Sequence, residues 1–239
     1  MYKRILLKLS GEALKEKGGK HIIDVDNMEI MAEVIKSLHE SGVEIAVVVG
    51  AGNIWRGKVA SKIGIDPIPA DFMGMLGTVI NGVALASNLN KIGVPSIVYS
   101  AVPAIEGVTE AYDKSKALES LVSGKVVFLT GGTGKPFFTT DTAASLRAIE
   151  LHCEAILMGK NGVNGVYTSD PTIDPNAKFI KNITFKEMLE QKLAIMDISA
   201  VELLKDSSID VRIFSMEDPN NFMKVAHGDD MGTTLTKGE

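Results

Sequence analysis

Six short runs of β-branched and aliphatic residues, at 3–9, 43–49, 96–99, 126–130, 155–159 and 211–214, alternate along the whole chain with segments of helical period. The runs are nearly continuous in apolar character rather than apolar at every second residue, so each needs cover on both faces. Strands of that kind separated by helices make a mainly parallel sheet, and the fold class that follows is α/β, a three-layer α/β/α sandwich. Met28, Met31, Ile35 and Leu38 have helical spacing, with Asp26 and Glu29 placed like a capping box and Gly42 at the C′ position. The same reasoning predicts helices over 72–91, 114–122, 141–151, 197–206 and 220–226, and Thr184 with Glu187 has the spacing of a further capping box. The long irregular stretch 161–178, holding Gly162, Gly165, Pro171 and Pro175, is the expected internal boundary.

Composition removes several classes of function. Acidic residues outnumber basic ones by 30 to 25 and no Lys/Arg block stands out, so the electrostatic footprint of a nucleic-acid binder is missing. Cys153 is the single cysteine, which excludes an internal disulfide framework and suits a reducing compartment. The four histidines, His21, His39, His152 and His227, form no ligand-spaced pair, and no Ser/His/Asp arrangement is visible. The apolar stretch of residues 1–10 is short and broken by Lys8, and no other run reads as membrane-spanning, so a soluble, cytoplasmic chain with no membrane partner is expected.

In an open parallel sheet, ligands gather beyond the carboxyl ends of the strands. Three glycine turns stand there: Lys8, Leu9, Ser10 and Gly11 after the first strand, Gly50, Ala51, Gly52 and Asn53 after the second, and Gly131, Gly132, Thr133 and Gly134 after the fourth. Glycine lets the backbone approach a ligand and leaves N–H groups free to cradle phosphate oxygens, although each turn alone is also ordinary βα chemistry. Neither familiar phosphate motif is present. Lys135 is followed by Pro136 where a P-loop needs Ser or Thr, and Trp55 stands at the third glycine of the dinucleotide fingerprint.

Lys8 is a charge in an otherwise apolar strand; it either snorkels and pairs, or it reaches a ligand and balances the charge of a transferring phosphoryl group. Asp141 is either a plain helix cap or a carboxylate that orients Lys8. Arg56 and Asp71, in the long connection after the second strand, suit a phosphate and ribose hydroxyls respectively, or are solvated charges. Asn161, Tyr167 and Asp170 offer an amide, a stacking face and a hydroxyl acceptor to a nucleoside, while Asp170 before Pro171 also fits turn chemistry. Asp229 and Asp230 read as a solvated pair, and Met73 and Met75 as packing against the sheet or a subunit neighbour.

The segments 8–14, 50–57, 71–75, 133–141 and 165–171 closely resemble those of the bacterial UMP kinases, in collinear order over residues 2–235. That family belongs to the amino acid kinase superfamily, unrelated to the P-loop kinases. The resemblance implies one domain over 1–239, with about 1–155 binding UMP and phosphates and about 156–239 binding the ATP nucleoside. It implies the reaction ATP + UMP → ADP + UDP with Mg²⁺ in pyrimidine nucleotide synthesis. A homo-oligomer, a hexamer in that family, is implied, with UTP as inhibitor; a GTP effector is left open.

Carried over residue by residue, Lys8, Leu9, Ser10 and Gly11 resemble the segment at the ATP phosphates, with Gly52 and Arg56 beside them and Lys8 as the charge-stabilising lysine. Ala51, Asp71, Thr133, Gly134, Lys135, Pro136, Phe137, Phe138, Thr139 and Thr140 match the UMP side. Asn161, Tyr167 and Asp170 match the adenosine side, and Asp141 the lysine-orienting aspartate; the protein ligands of the metal are unknown. Three departures stand out. Ala51 replaces a common glycine and requires a negative φ there, Asn164 replaces a common aspartate, and the loop 15–20 differs from the GTP-activated form. A sister kinase acting on carbamate or an amino-acid carboxylate, or a non-catalytic nucleotide-binding protein, are the competing expectations.

Overall fold

The computed structural model describes every residue except 17, 19, 20, 194 and 239. One nine-stranded sheet carries the molecule, and its middle strand is the first one in the chain. β1 (Arg4–Leu9) pairs in parallel with β2 (Glu44–Val49) on one side and with β6 (Ala155–Lys160) on the other. Beyond β2 lie β5 (Val126–Thr130), β3 (Ser96–Ser100) and the two-residue β4 (Glu110–Ala111). Beyond β6 lie β10 (Asp210–Ser215), β11 (Thr233–Thr236) and β9 (Asn182–Thr184), with β10 and β11 the one antiparallel pair of this sheet. The short β7 (Val166–Tyr167) and β8 (Phe179–Ile180) pair separately as a small antiparallel ladder, so the stretch 161–178 is not irregular throughout: β7 interrupts it and β8 follows it.

Two apolar layers cover the sheet. Ile5, Leu7 and Leu9 of β1 enter one cluster with α1 (Val25–Glu40), α3 (Pro67–Lys91) and α8 (Asn221–Ala226). Leu6 enters the other, with α4 (Lys114–Val122), α5 (Thr140–Glu150), α6 (Phe185–Glu190) and α7 (Ile198–Leu204). The alternation of β1 side chains therefore puts Lys8 on the α5 face, because it shares the parity of Leu6. The three-layer sandwich read from the continuous apolar runs is the observed architecture.

Several boundaries differ from expectation. The cap of α1 is Asp24, whose side chain accepts the Asn27 N–H, and Asp26 lies inside the first turn. Gly42 does take the left-handed conformation, at φ 85°. Helix α3 begins at Pro67 rather than at 72, and α2 (Gly57–Lys62) precedes it, so Arg56 is the cap of α2 and Asp71 the fifth residue of α3, and neither lies in a long connection. The cap of α5 is Thr139, which leaves Asp141 in the first turn. The capping box of Thr184 and Glu187 forms as its spacing predicts. Helix α3, at 25 residues, is also long and apolar enough to cross a membrane by length and composition, which corrects the reading that no run is; half of its apolar window is buried in the fold.

Helix α3 approaches the sheet closely at two glycines. A methyl group on Gly77 would stand 2.8 Å from Ala51 Cβ, and one on Gly82 would stand 2.4 Å from Thr130 Cγ2. Thr130 cannot swing aside freely, because its hydroxyl donates to the Tyr99 carbonyl at 3.0 Å. Gly82→Ala is therefore expected to cost about 1–3 kcal/mol by overpacking. Urea denaturation checks this, and an unchanged midpoint would mean that the helix seats itself elsewhere without loss.

Candidate active site

The chain leaves β1 toward β2 and leaves β6 toward β10, in opposite directions, which opens a crevice beyond the carboxyl ends of β1 and β6. Lys8 pairs with Met158 across these strands, and Ile156 and Met158 face the α5 layer. Two residues on, Lys160 ends β6 with the same parity, so the two lysines share one face of neighbouring strands. Lys160 has no counterpart in the sequence reading. It looks there like a polar strand end, and only the pairing of β6 with β1 brings it to Lys8.

The Lys8 ammonium lies 2.5 Å from Asp141 Oδ1, with the two side chains 16% and 18% exposed. That carboxylate oxygen is buried and has no directed hydrogen bond, so the neighbouring charge is its compensation. Thr139 fixes where the carboxylate stands. Its hydroxyl oxygen accepts the N–H groups of Asp141 at 3.0 Å and Thr142 at 3.3 Å, and its hydroxyl donates to Asp197. Asp197 also caps α7 through the Ala200 N–H and accepts the Thr142 hydroxyl, so one carboxylate ties the starts of α5 and α7 together. Sequence spacing offered no signal for that tie beyond the capping position.

The glycine turns interlock. A methyl on Gly11 would fall 2.5 Å from the Gly50 carbonyl and 2.9 Å from the Gly52 nitrogen, so the first turn reaches the second only without a side chain. Asn81 of α3 donates to the Gly50 carbonyl at 2.8 Å and pairs amide to amide with Asn53, which in turn holds the Ile22 carbonyl. Ala51 is absent from the residues of positive φ, so the condition on it is met. The third turn hangs from Thr78, whose hydroxyl accepts the Gly131 N–H at 2.8 Å. Gly134, at φ 73°, has no room for a methyl against the Ala101 carbonyl.

Two cavities open beyond the strands on either side of β1, and neither Lys8 nor Asp141 is among their lining residues. One of about 260 Å³ lies beyond β2 and β5 and is lined by Ala51, Gly52, Trp55, Asp71, Thr133, Phe138, Thr139 and Thr140, among others. The other, of about 510 Å³, lies beyond β6 and β10, with Lys160, Tyr167 and Asp170 in its wall. The expected acceptor-side residues thus largely converge, while Asn161 is exposed and lines neither cavity. Leu9 is buried in the core, which leaves only its backbone for the site. Gly134, Lys135, Pro136 and Phe137, also expected on the acceptor side, are not among the residues lining the smaller cavity; Lys135 is exposed and Pro136 only partly buried.

The charged groups have partners in place. Arg56 reaches Glu12 at 2.5 Å and the Gly52 carbonyl at 3.2 Å. Asp71 Oδ2 accepts the Phe137 N–H at 2.6 Å, and Phe137 holds a left-handed φ of 70°, a conformation that costs about 1–3 kcal/mol in a non-glycine residue. Asp170 accepts the N–H and hydroxyl of Thr172, first the hydroxyl bond and then the backbone bond holding its carboxyl below the usual range. The turn reading of Asp170 is therefore realised in the fold. Of the loop 15–20, residues 17, 19 and 20 lie outside the described residues. Cys153 is buried, its thiol pushed up to about 12 chiefly by desolvation, so it is no nucleophile here.

Burial, and then the Lys8 charge, lowers the Lys160 ammonium below the ordinary lysine value of 10.5, while Asp141 acts in the opposite direction. The unfolded chain therefore binds this proton more tightly than the folded chain, and the charged lysine costs stability below its folded pKa. That cost fades as pH rises toward 10.5. Lys160→Met is expected to melt above the parent near neutral pH, with the gap narrowing in alkaline buffer. Thermal melts at both pH values check the sign; a variant that melts lower near neutrality would contradict it.

The model of the amino acid kinase family matches residues 3–215. A uridylate kinase of Mycoplasma capricolum subsp. capricolum is 48% identical over 225 residues, 94% of this chain and 94% of that protein. The crystal structure of UMP kinase from Ureaplasma parvum is similar with a TM-score of 0.93 at 37% identity, covering 99% of this chain and 100% of the other. That of UMP kinase from Bacillus anthracis gives 0.95 at 35% identity, covering 100% and 97%.

Proposed function

We propose, from the premise that this chain belongs to the amino acid kinase family and is one of its uridylate kinases, how the transfer of the ATP γ-phosphoryl group to UMP runs on this sheet edge. The observation that carries the assignment of roles is the sheet order, in which Lys8 stands between the two cavities. UMP takes the smaller cavity, with Asp71 at the ribose hydroxyls and residues 133–140 around the nucleotide. The ATP nucleoside takes the larger one beside Tyr167 and Asp170, with Asn161 at its exposed rim. On this reading residues 1–155 serve the acceptor and the phosphates and residues 156–239 the nucleoside, within one domain.

A UMP phosphate oxygen attacks the γ-phosphorus in line. That oxygen is already anionic near neutral pH, so a general base has little to contribute, in keeping with the absence of a histidine constellation. Lys8 and Lys160 balance the negative charge that spreads over the equatorial and leaving oxygens, and Asp141 keeps Lys8 aimed. Arg56 exchanges Glu12 for phosphate oxygens. The amides of residues 9–11, 50–52 and 131–134 receive the remaining oxygens, and no covalent intermediate forms.

No three His, Cys, Asp or Glu side chains cluster among the described residues. Mg²⁺ commonly binds through one or two carboxylates and substrate phosphates. Asp141 Oδ1 already faces the Lys8 ammonium at 2.5 Å, so the ion would be held chiefly by the substrate phosphates, with Asp141 the nearest carboxylate to them on this reading. When bound, Mg²⁺ neutralises charge on the phosphate oxygens.

The finer reading is a cytoplasmic enzyme of pyrimidine nucleotide synthesis that assembles as a hexamer and is inhibited by UTP, with GTP a further candidate effector. Support for self-association comes from α3, where Ile68, Phe72, Leu76 and Ile80, every fourth residue, are 38–54% exposed. Leu76→Glu is expected to lower the sedimentation coefficient toward that of the protomer; an unchanged value would remove this face from the assembly.

An ADP-release assay offering UMP, CMP, carbamate, aspartate and glutamate in turn with ATP tests the function, with release expected for UMP. In folded Lys8→Ala, turnover is expected to fall by about 10²-fold or more, the loss of several kcal/mol of transition-state stabilisation. Near-normal turnover in that variant would overturn the role given to Lys8.

A further inference from the structure

We propose that Trp55 is a positioning residue for the acceptor nucleotide, setting the distance between Arg56 and Asp71; the proposal rests on the reading of the smaller cavity as the UMP site. The indole N–H donates to the Ala70 carbonyl at 2.8 Å. The backbone of Trp55 is fixed separately, its N–H donating to the Ala51 carbonyl at 2.8 Å in the turn after β2. One side chain therefore fastens that turn to the first helical turns of α3. Arg56 is the next residue after the indole's own, and Asp71 the next after its acceptor.

The helices on either side lack the usual local means of holding their starts. Neither Arg56, the cap of α2, nor Asp66, the cap of α3, makes a side-chain capping hydrogen bond. Pro67 opens α3, and a proline there brings no N–H of its own. The tertiary bond from the indole pairs no N–H group at the start of α3, but it fixes where that start stands relative to the turn. It also keeps the ring at the cavity: Trp55 lines it, and a methyl on Gly74 would lie 3.7 Å from Cδ1, so the ring packs over the helix at Gly74. Trp55 thus serves the binding of a pyrimidine nucleoside monophosphate through Arg56 and Asp71, and it has no part in the larger cavity.

The chain contains a single tryptophan, so emission titration and single-site replacement both report on this residue alone. Two forms are compared with the parent: Trp55→Phe, and protein carrying 3-benzothienylalanine at position 55, which keeps the ring shape and replaces the N–H donor by sulfur. In both, KM for UMP is expected to rise about 5- to 10-fold, the scale of one lost hydrogen bond, with KM for ATP within about twofold. The benzothienyl form decides the matter if the phenylalanine form does not fold. Unchanged KM for UMP in the benzothienyl form, or equal rises for UMP and ATP, would overturn the proposal. Titrating the parent with UMP alone separates the two levels. A saturable change in emission supports the cavity as the UMP site whatever the variants do. No change while UMP is turned over would move the acceptor elsewhere and take the Trp55 proposal with it.

Discussion

Lys8 and Asp141 meet over the carboxyl end of the central strand with little solvent around either, and the architecture of the edge follows from that one ion pair. An isolated charge at such a place costs several kcal/mol, so each group needs the other near it, and a strand lysine must find its carboxylate on the helix that crosses its face. Alternation along β1 decides the face, and α5 supplies the carboxylate from its first turn. The start of α5 must then be held in register, which is what Thr139 and Asp197 do. A buried pair of this kind is a poor source of stability and a good source of position, which is what an anionic reaction needs from the protein.

Close backbone approach is the second constraint, and it explains where glycine is indispensable. Gly11 lets the first turn touch the second, and Gly77 and Gly82 let α3 lie against the turn after β2 and against β5. Helix α3 consequently serves two purposes. Its inner face holds the Gly50 carbonyl through Asn81 and the Gly131 N–H through Thr78, while its outer face keeps an apolar stripe available for a neighbour. A change in how α3 is held would reach both nucleotide turns, and the amide pair of Asn53 and Asn81 would carry it onward to the segment around Ile22.

The elements that were legible in the sequence are those with strong local signals. The apolar runs of β1, β2, β5, β6 and β10, the periodicity of α1 and the box at Thr184 all form where they were read, because burial on both faces and capping act over a few residues. The structure departs from local preference where several local solutions compete. Asp24 and Asp26 are both acceptable caps, and the Asn27 side chain's bond to the Lys15 carbonyl accompanies the use of Asp24. Thr139 outcompetes Asp141 as the cap of α5 because Asp197 holds its hydroxyl and Lys8 takes the aspartate. The two prolines near the start of α3 resemble loop chemistry, yet one of them occupies the first helical position, where its missing N–H is no loss. Helix α2, at six residues, is too short to show a period.

From the sequence alone came the sandwich, the three glycine turns and the candidates Lys8, Arg56, Asp71 and Asp141, because continuous apolar runs, turn chemistry and a charge inside an apolar strand or beside a glycine turn are properties of neighbouring residues. Tertiary structure alone decided that Lys160 shares the face of Lys8, that Asp197 supports the start of α5, that Trp55 clips the acceptor turn to α3, and that Asp71 stands against Phe137. Each of these depends on which strands become neighbours and which helix crosses above them. Such pairings join residues 15 or more positions apart, and no local preference along the chain encodes the distance between them.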